Sequence, residues 1–120
     1  MNAPVDRTPE LEVEAPQLHL LRLLAARPAM SQRELSHCLG LSLGKTHYVL
    51  HALLDKGLVK VKNFTRSDNK LGYAYLLTPS GGRAKMLMTR QFLRHKESEF
   101  VELQATIATL RAEVSENSPL

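Results

Sequence analysis

Gly44, Lys45 and Thr46 follow one another in the stretch LGLSLGKTHYVLH, residues 39–51. Gly-Lys-Thr closes the loop with which many nucleotide hydrolases grip phosphate, so ATP or GTP chemistry is the first to test. That loop requires Gly, four residues, then Gly-Lys-Ser/Thr, set between a buried strand and a helix. Here only three residues separate Gly40 from Gly44, and the preceding ELSHCLG reads as a capped helix. No later apolar strand ends in an Asp suited to hold magnesium. Nucleotide hydrolysis is therefore set aside. His47 and His51 lie i, i+4, as zinc ligands can, but no Glu follows His47 and no third ligand is evident. Cys38 has His37 and Arg33 nearby, which would suit a redox switch if its thiol pKa were lowered; a structural cysteine is the plainer reading. No Ser-His-Asp or paired-carboxylate arrangement stands out. The chain is not expected to be an enzyme, and no cofactor or metal is expected.

The elements that must position these residues can be read from caps and periodicity. Residues 1–14, MNAPVDRTPELEVE, show no clear period and read as a flexible arm. Pro16 suits the first turn of a helix. QLHLLRLLAAR then puts Leu18, Leu21, Leu24 and Ala25 on one stripe up to about Arg27, and Pro28 stops it. SQRE, residues 31–34, fits a capping box in which Ser31 and Glu34 satisfy each other's backbone N–H. Leu35 and Leu39 share a face, and Gly40 ends this short helix. Ser42 caps a third helix that reaches Lys56, with Gly57 as its stop and Thr46, Val49, Leu50 and Leu53 facing inward. LVKVKNF, residues 58–64, reads as a strand, TRSDNKLG as a polar turn and YAYLLT as a second strand, which together make a hairpin.

Thr78-Pro79 restarts a helix, and no strong breaker follows Gly82 until Asn117. Met86, Leu93, Phe100, Ile107 and Val114 recur every seven residues, with Leu103 and Leu110 three beyond Phe100 and Ile107. These are heptad a and d positions. Thr89 and Lys96 occupy the earlier d positions, so a clean seam begins near Leu93. Nothing else in the chain is left to cover Leu93, Phe100, Leu103, Ile107, Leu110 and Val114, which favours pairing with a second subunit. The expected organisation is an arm (1–14), a three-helix and hairpin domain (15–78), a long C-terminal helix (79–116) and a tail (117–120).

Charge points to a partner. The 120 residues carry a net charge of +4, unevenly spread. Residues 16–95 hold 13 Lys and Arg against Glu34, Asp55 and Asp68, a net +10, while residues 1–15 and 96–120 are each −3. A basic middle between acidic ends is the electrostatic footprint of a nucleic-acid-binding body. Cys38 is the one cysteine, so no intrachain disulfide is possible and a reducing compartment is the default. No run approaches the roughly 18 apolar residues of a membrane span, and no secretory signal is visible. A cytoplasmic protein with no membrane partner is expected.

Two short helices joined by a tight glycine turn make a helix-turn-helix, whose second helix enters the DNA major groove. The outward residues of that second helix are Ser42, Leu43, Gly44, Lys45, His47, Tyr48 and His51. Lys45 suits a guanine edge or a phosphate, and His47, Tyr48 and His51 suit bases or phosphates. Gly44 would allow close backbone approach to a groove wall. On and beside the hairpin, Lys60, Lys62, Arg66, Asn69 and Lys70 suit the DNA backbone or minor groove. Ser31, Gln32 and Arg33 begin the preceding helix, where free N–H groups attract phosphate.

The stretch SQRELSHCLGLSLGKTHYVLHALLDKGLVK resembles the winged helix-turn-helix of MarR-type bacterial regulators. VKNFTRSDNKLGYAYLLTPSG is similar to the subset of that family found beside exopolysaccharide biosynthesis genes, and the likeness covers about residues 16–115. The resemblance implies a mainly α fold with a small β-hairpin: a winged helix-turn-helix plus a long dimerisation helix. It implies a homodimeric, duplex-DNA-binding transcription regulator, with the recognition helix at Ser42–Lys56 and the wing at Phe64–Leu71. The family's chains are usually longer and dimerise through N- and C-terminal helices together; this chain offers mainly one long C-terminal helix, and the small-molecule effector stays unknown. A protein-interaction adaptor remains the alternative, with Leu43 and Leu54 expected on its docking surface.

Overall fold

The computed structural model describes the backbone of residues 9–66, 68 and 71–117, with side chains from residue 15 onward. Residues 1–8 of the expected arm, Asn69 and Lys70 of the wing, and residues 118–120 of the tail lie outside the described residues. The element order is α1 (Pro9–Ala26), α2 (Gln32–Leu39), α3 (Leu43–Asp55), β1 (Val59–Thr65), β2 (Leu71–Leu77) and α4 (Pro79–Glu116). This is the expected mainly helical architecture with one antiparallel hairpin.

Helix α1 starts earlier than Pro16. It begins at Pro9 and carries Pro16 in its interior, so residues 9–14 are helical and not part of an arm. Pro9 in the first turn gives up no helical hydrogen bond. The run Glu, Leu, Glu, Val, Glu that follows has enough helix propensity to carry the chain into Pro16. The buried face is also wider than the stripe read from spacing. Leu20 is fully buried beside Leu18, Leu21 and Leu24, whereas Ala25 is exposed.

The capping box is formed as expected. The Glu34 amide donates to Ser31 Oγ at 3.1 Å and the Ser31 amide donates to the Glu34 carboxylate at 3.1 Å. Hydrogen bonding to the carboxylate, from the Ser31 backbone first and the Ser31 side chain second, holds the Glu34 carboxyl below its ordinary pKa. At the other end of α2, Gly40 adopts φ 68°, and the amides of Gly40 and Leu41 return to His37 and Ser36. Helix α3 closes in the same way, with Gly57 at φ 71° and the amides of Gly57 and Leu58 returned to Leu54 and Leu53. Both are left-handed helix stops of the kind glycine adopts without a Cβ penalty.

The hairpin pairs Val59 with Leu77 through Thr65 with Leu71. Strand β2 therefore starts at Leu71, two residues inside the expected turn. Gly72 makes this possible: a Cβ there would lie 2.7 Å from Phe64 and 2.9 Å from Arg66, whose side chains cross that spot.

The chain divides into two compact units, residues 1–89 and 90–120. The core of the first comprises Leu20, Leu21, Leu24, Met30, Leu35, Val49, Leu50, Leu53, Val59 and Tyr75, with Met88 of α4 packed against it. The boundary thus lies eleven residues into α4, and the start of that helix is locked to the end of α3. Thr78 Oγ1 accepts from the Gly81 amide at 3.0 Å and donates to the Gly57 carbonyl at 2.6 Å. A Cβ on Gly81 would sit 1.9 Å from the Leu58 carbonyl oxygen. The second unit is the remainder of α4, whose side chains are exposed apart from a few half-buried positions.

Gly81→Ala is therefore expected to destabilise the protein by about 3 kcal/mol, since backbone must move to admit the methyl. Gly82→Ala, with nothing within 4 Å of its Cβ, is the control and should be neutral or slightly stabilising. Urea unfolding followed by circular dichroism compares the two.

Candidate nucleic-acid interface

The interface is built on α3, which has two faces. Thr46, Val49, Leu50 and Leu53 are buried, and the Thr46 hydroxyl, 0% exposed, donates to the Ser42 carbonyl at 2.9 Å. No buried side-chain polar atom among the described residues lacks a partner. Rotation of the helix is thereby fixed, and its other face carries Leu43, Gly44, Lys45, His47, Tyr48 and His51, all exposed. Tyr48 is 68% exposed. Ser42 Oγ accepts from the Lys45 amide at 3.1 Å, so the hydroxyl is used in starting the helix.

The exposed side chains are ordered among themselves. Lys45 Nζ lies 5.5 Å from the centre of the Tyr48 ring, within cation–π range. The His47 and His51 rings are 4.1 Å apart at 43°. Among the described residues no cluster of three or more His, Cys, Asp or Glu is arranged to hold a metal. Gly44 has nothing within 4 Å of a built Cβ, so no contact inside the protein requires a glycine there.

Gln32, expected among the phosphate contacts, is turned inward. Its amide oxygen is 3.1 Å from His47 Nδ1, and its amide nitrogen donates to the Tyr75 hydroxyl at 3.4 Å. Ser31 likewise spends its hydroxyl on the capping box, while Arg33 is exposed. On the hairpin, Lys60 and Lys62 are exposed, and the Arg66 guanidinium stands 3.7 Å from the Asp68 carboxylate. Both partners are about half exposed, so this pair orients Arg66 weakly. Between the start of α2 and the hairpin lies an open cleft of about 600 Å³, lined by Met30, Gln32, Phe64, Arg66, Tyr73 and Tyr75 among others.

Sequence reasoning missed the roles of Gly72, Gly81 and Tyr75. Gly72 was legible as a glycine beside a strand; the partners of Gly81 and Tyr75 are far away in sequence and left no signal. Leu54, expected on an adaptor surface, is half-buried against the core. The apolar heptad positions of α4 are exposed in the single chain. Leu93, Phe100, Leu103, Leu110 and Val114 are more than half exposed, and Ile107 is 38% exposed. No helix among the described residues is long and apolar enough to cross a membrane.

The MarR family model matches residues 13–66, which span most of α1, all of α2 and α3, and β1. Among solved structures, the PcaV transcriptional regulator from Streptomyces coelicolor is similar at 22% identity and a TM-score of 0.63, over 88% of this chain and 79% of that one. PcaV in complex with its natural ligand aligns over 98% of this chain and 99% of that one, at 20% identity and a TM-score of 0.62. Staphylococcus aureus MarR in complex with salicylate and kanamycin aligns at 19% identity and a TM-score of 0.55, over 93% and 81%. At these identities the likeness concerns the fold, which is that of a MarR-type winged helix. Among curated proteins, none matches the chain.

In this MarR-type frame Gly44 is an open position on an exposed helix face. Gly44→Ala is expected to stabilise the free protein by about 0.5–1 kcal/mol, the ordinary helix preference for alanine. A rise in the urea midpoint measures it.

Proposed function

We propose that the protein is a sequence-specific, duplex-DNA-binding regulator of transcription that acts as a homodimer. The observation that carries this reading is the exposed face of α3. Lys45, His47, Tyr48 and His51 stand outward over a buried stripe, on the second helix of a helix-turn-helix inside a MarR family domain. Such a helix lays its N-terminal residues against base edges. Lys45, Tyr48, His47 and His51 are the base and phosphate contacts in this reading, with Leu43 and the open Gly44 admitting close approach. Arg33, Lys60, Lys62 and Arg66 are the backbone contacts, joined by Asn69 and Lys70 at the tip of the wing. Ser31 and Gln32 act through their own helix and through His47.

A two-fold dimer would present two recognition helices to half-sites about one helical turn, or a multiple, apart. We assign dimerisation to Leu93, Phe100, Leu103, Ile107, Leu110 and Val114, an apolar seam that the chain itself leaves exposed. The resemblance of the wing stretch to the subset beside exopolysaccharide biosynthesis genes points to exopolysaccharide or capsule genes as targets. Solved structures of similar fold include transcriptional regulators, which accords with a binding protein and not an enzyme.

Selection of bound sequences from random duplex DNA tests binding, half-site spacing and symmetry together. Affinity for the selected site is expected to fall steeply with salt, and Lys45→Ala and Arg66→Ala should each reduce the slope by about one. A gel shift insensitive to salt, or no shift at micromolar protein, would defeat the reading. Phe100→Glu combined with Ile107→Glu is expected to give monomers by light scattering; an unchanged mass would remove the seam from the interface.

A further inference from the structure

Gln32, His47 and Tyr75 lie on α2, α3 and β2, and no spacing in the sequence links them. The Gln32 amide nitrogen donates to the Tyr75 hydroxyl at 3.4 Å. Tyr75 is a firm anchor: it is 9% exposed and its own amide donates to the Pro28 carbonyl at 2.9 Å. With the nitrogen so engaged, the amide oxygen faces His47 Nδ1 at 3.1 Å. In this orientation of the amide its oxygen can only accept, so Nδ1 carries the hydrogen. The His51 ring, 4.1 Å away, limits swing of the imidazole on its other flank.

We infer that Gln32 is a positioning residue that fixes His47 in its Nδ1–H form, so that Nε2 offers a lone pair to the exocyclic amino group of adenine or cytosine. The inference rests on reading α3 as a recognition helix. A neutral imidazole has one ring hydrogen; with that hydrogen on Nδ1, Nε2 is an acceptor. In the major groove adenine N6 and cytosine N4 are the amino donors, while guanine presents N7 and O6 and thymine presents O4, all acceptors. An acceptor on His47 therefore favours A or C at its base and opposes G or T. Without Gln32 the ring is free to carry its hydrogen on Nε2, which reverses the preference. Gln32 thus shapes the operator sequence without touching DNA, in place of the phosphate contact its position at a helix start suggests.

Long-range ¹H–¹⁵N NMR of the full-length protein reads the ring directly, at a pH of about 8 where imidazole is neutral. The wild-type protein is expected to show His47 as Nδ1–H. Gln32→Leu should shift it to Nε2–H or an even mixture. Gln32→Glu, which keeps an oxygen acceptor, should retain Nδ1–H. A wild-type ring carrying its hydrogen on Nε2 overturns the inference.

Sequence selection then reads the consequence. One position in each half-site should favour A or C over G or T by about fivefold in the wild type, the worth of one net hydrogen bond. That preference should fall below about twofold for Gln32→Leu and persist for Gln32→Glu, with the salt slope of all three alike. An unchanged base preference in Gln32→Leu overturns the specificity step even if the tautomer shifts. Wild-type protein with the Nδ1–H ring but no DNA binding would overturn the recognition-helix reading and the base preference with it, while the ring geometry stands.

Discussion

What α3 buries decides what it can present. Leu50 and Leu53 are fully buried, and Thr46 and Val49 complete the same stripe. Removing a leucine side chain from water contributes about 1.5–3 kcal/mol. The polar contacts on the opposite face are each worth less in solvent. The inner stripe therefore sets the rotation of the helix. Since successive residues turn about 100° around an α-helix, a slip of one position would carry Lys45 and His47 off the exposed face. The caps fix the remaining freedom. Ser42 at the start and Gly57 at the end hold α3 along its axis.

A second constraint gathers at Leu58. Its amide closes α3 on the Leu53 carbonyl, and its own carbonyl accepts from the Thr78 amide. Gly81 rests on that same carbonyl, with no space for a side chain. The end of α3, the base of the hairpin and the start of α4 thus meet at one backbone group. Polar backbone groups buried in a joint must be paired, and here each partner comes from a different element. That is why the first residues of α4 belong with the winged helix, although no strong breaker interrupts the helix between Gly82 and Asn117.

The second unit follows a different physical rule. Its apolar residues repeat at heptad spacing and remain exposed along the helix. A helix of this kind gains little from its own sequence, because most helical stability in water comes from packing an apolar face. The same spacing that makes the stripe visible in the sequence makes it an unfinished surface in a single chain.

Local signals were read correctly wherever one residue and its near neighbours decide the outcome. The Ser31–Glu34 box, the glycine stops at Gly40 and Gly57, the Ser42 and Thr78 caps and the inward stripe of α3 are all short-range facts. Helix α1 carries in its interior the Pro16 that local preference places in a first turn, and β2 begins at Leu71, inside the stretch that turn chemistry extends to Gly72. In both cases packing and register override local preference.

The sequence by itself determined the order of elements, the basic middle and the residues displayed on α3. Caps, periodicity and charge act within a few positions, so they are written where they operate. Only the tertiary structure decided that Gln32 faces His47 and Tyr75, that Gly81 seats on Leu58 and that Leu54 packs half-buried against the core. The two Gln32 contacts alone span 15 and 43 positions of the chain. Their partners are chosen by how helices and strands pack, which no local pattern encodes.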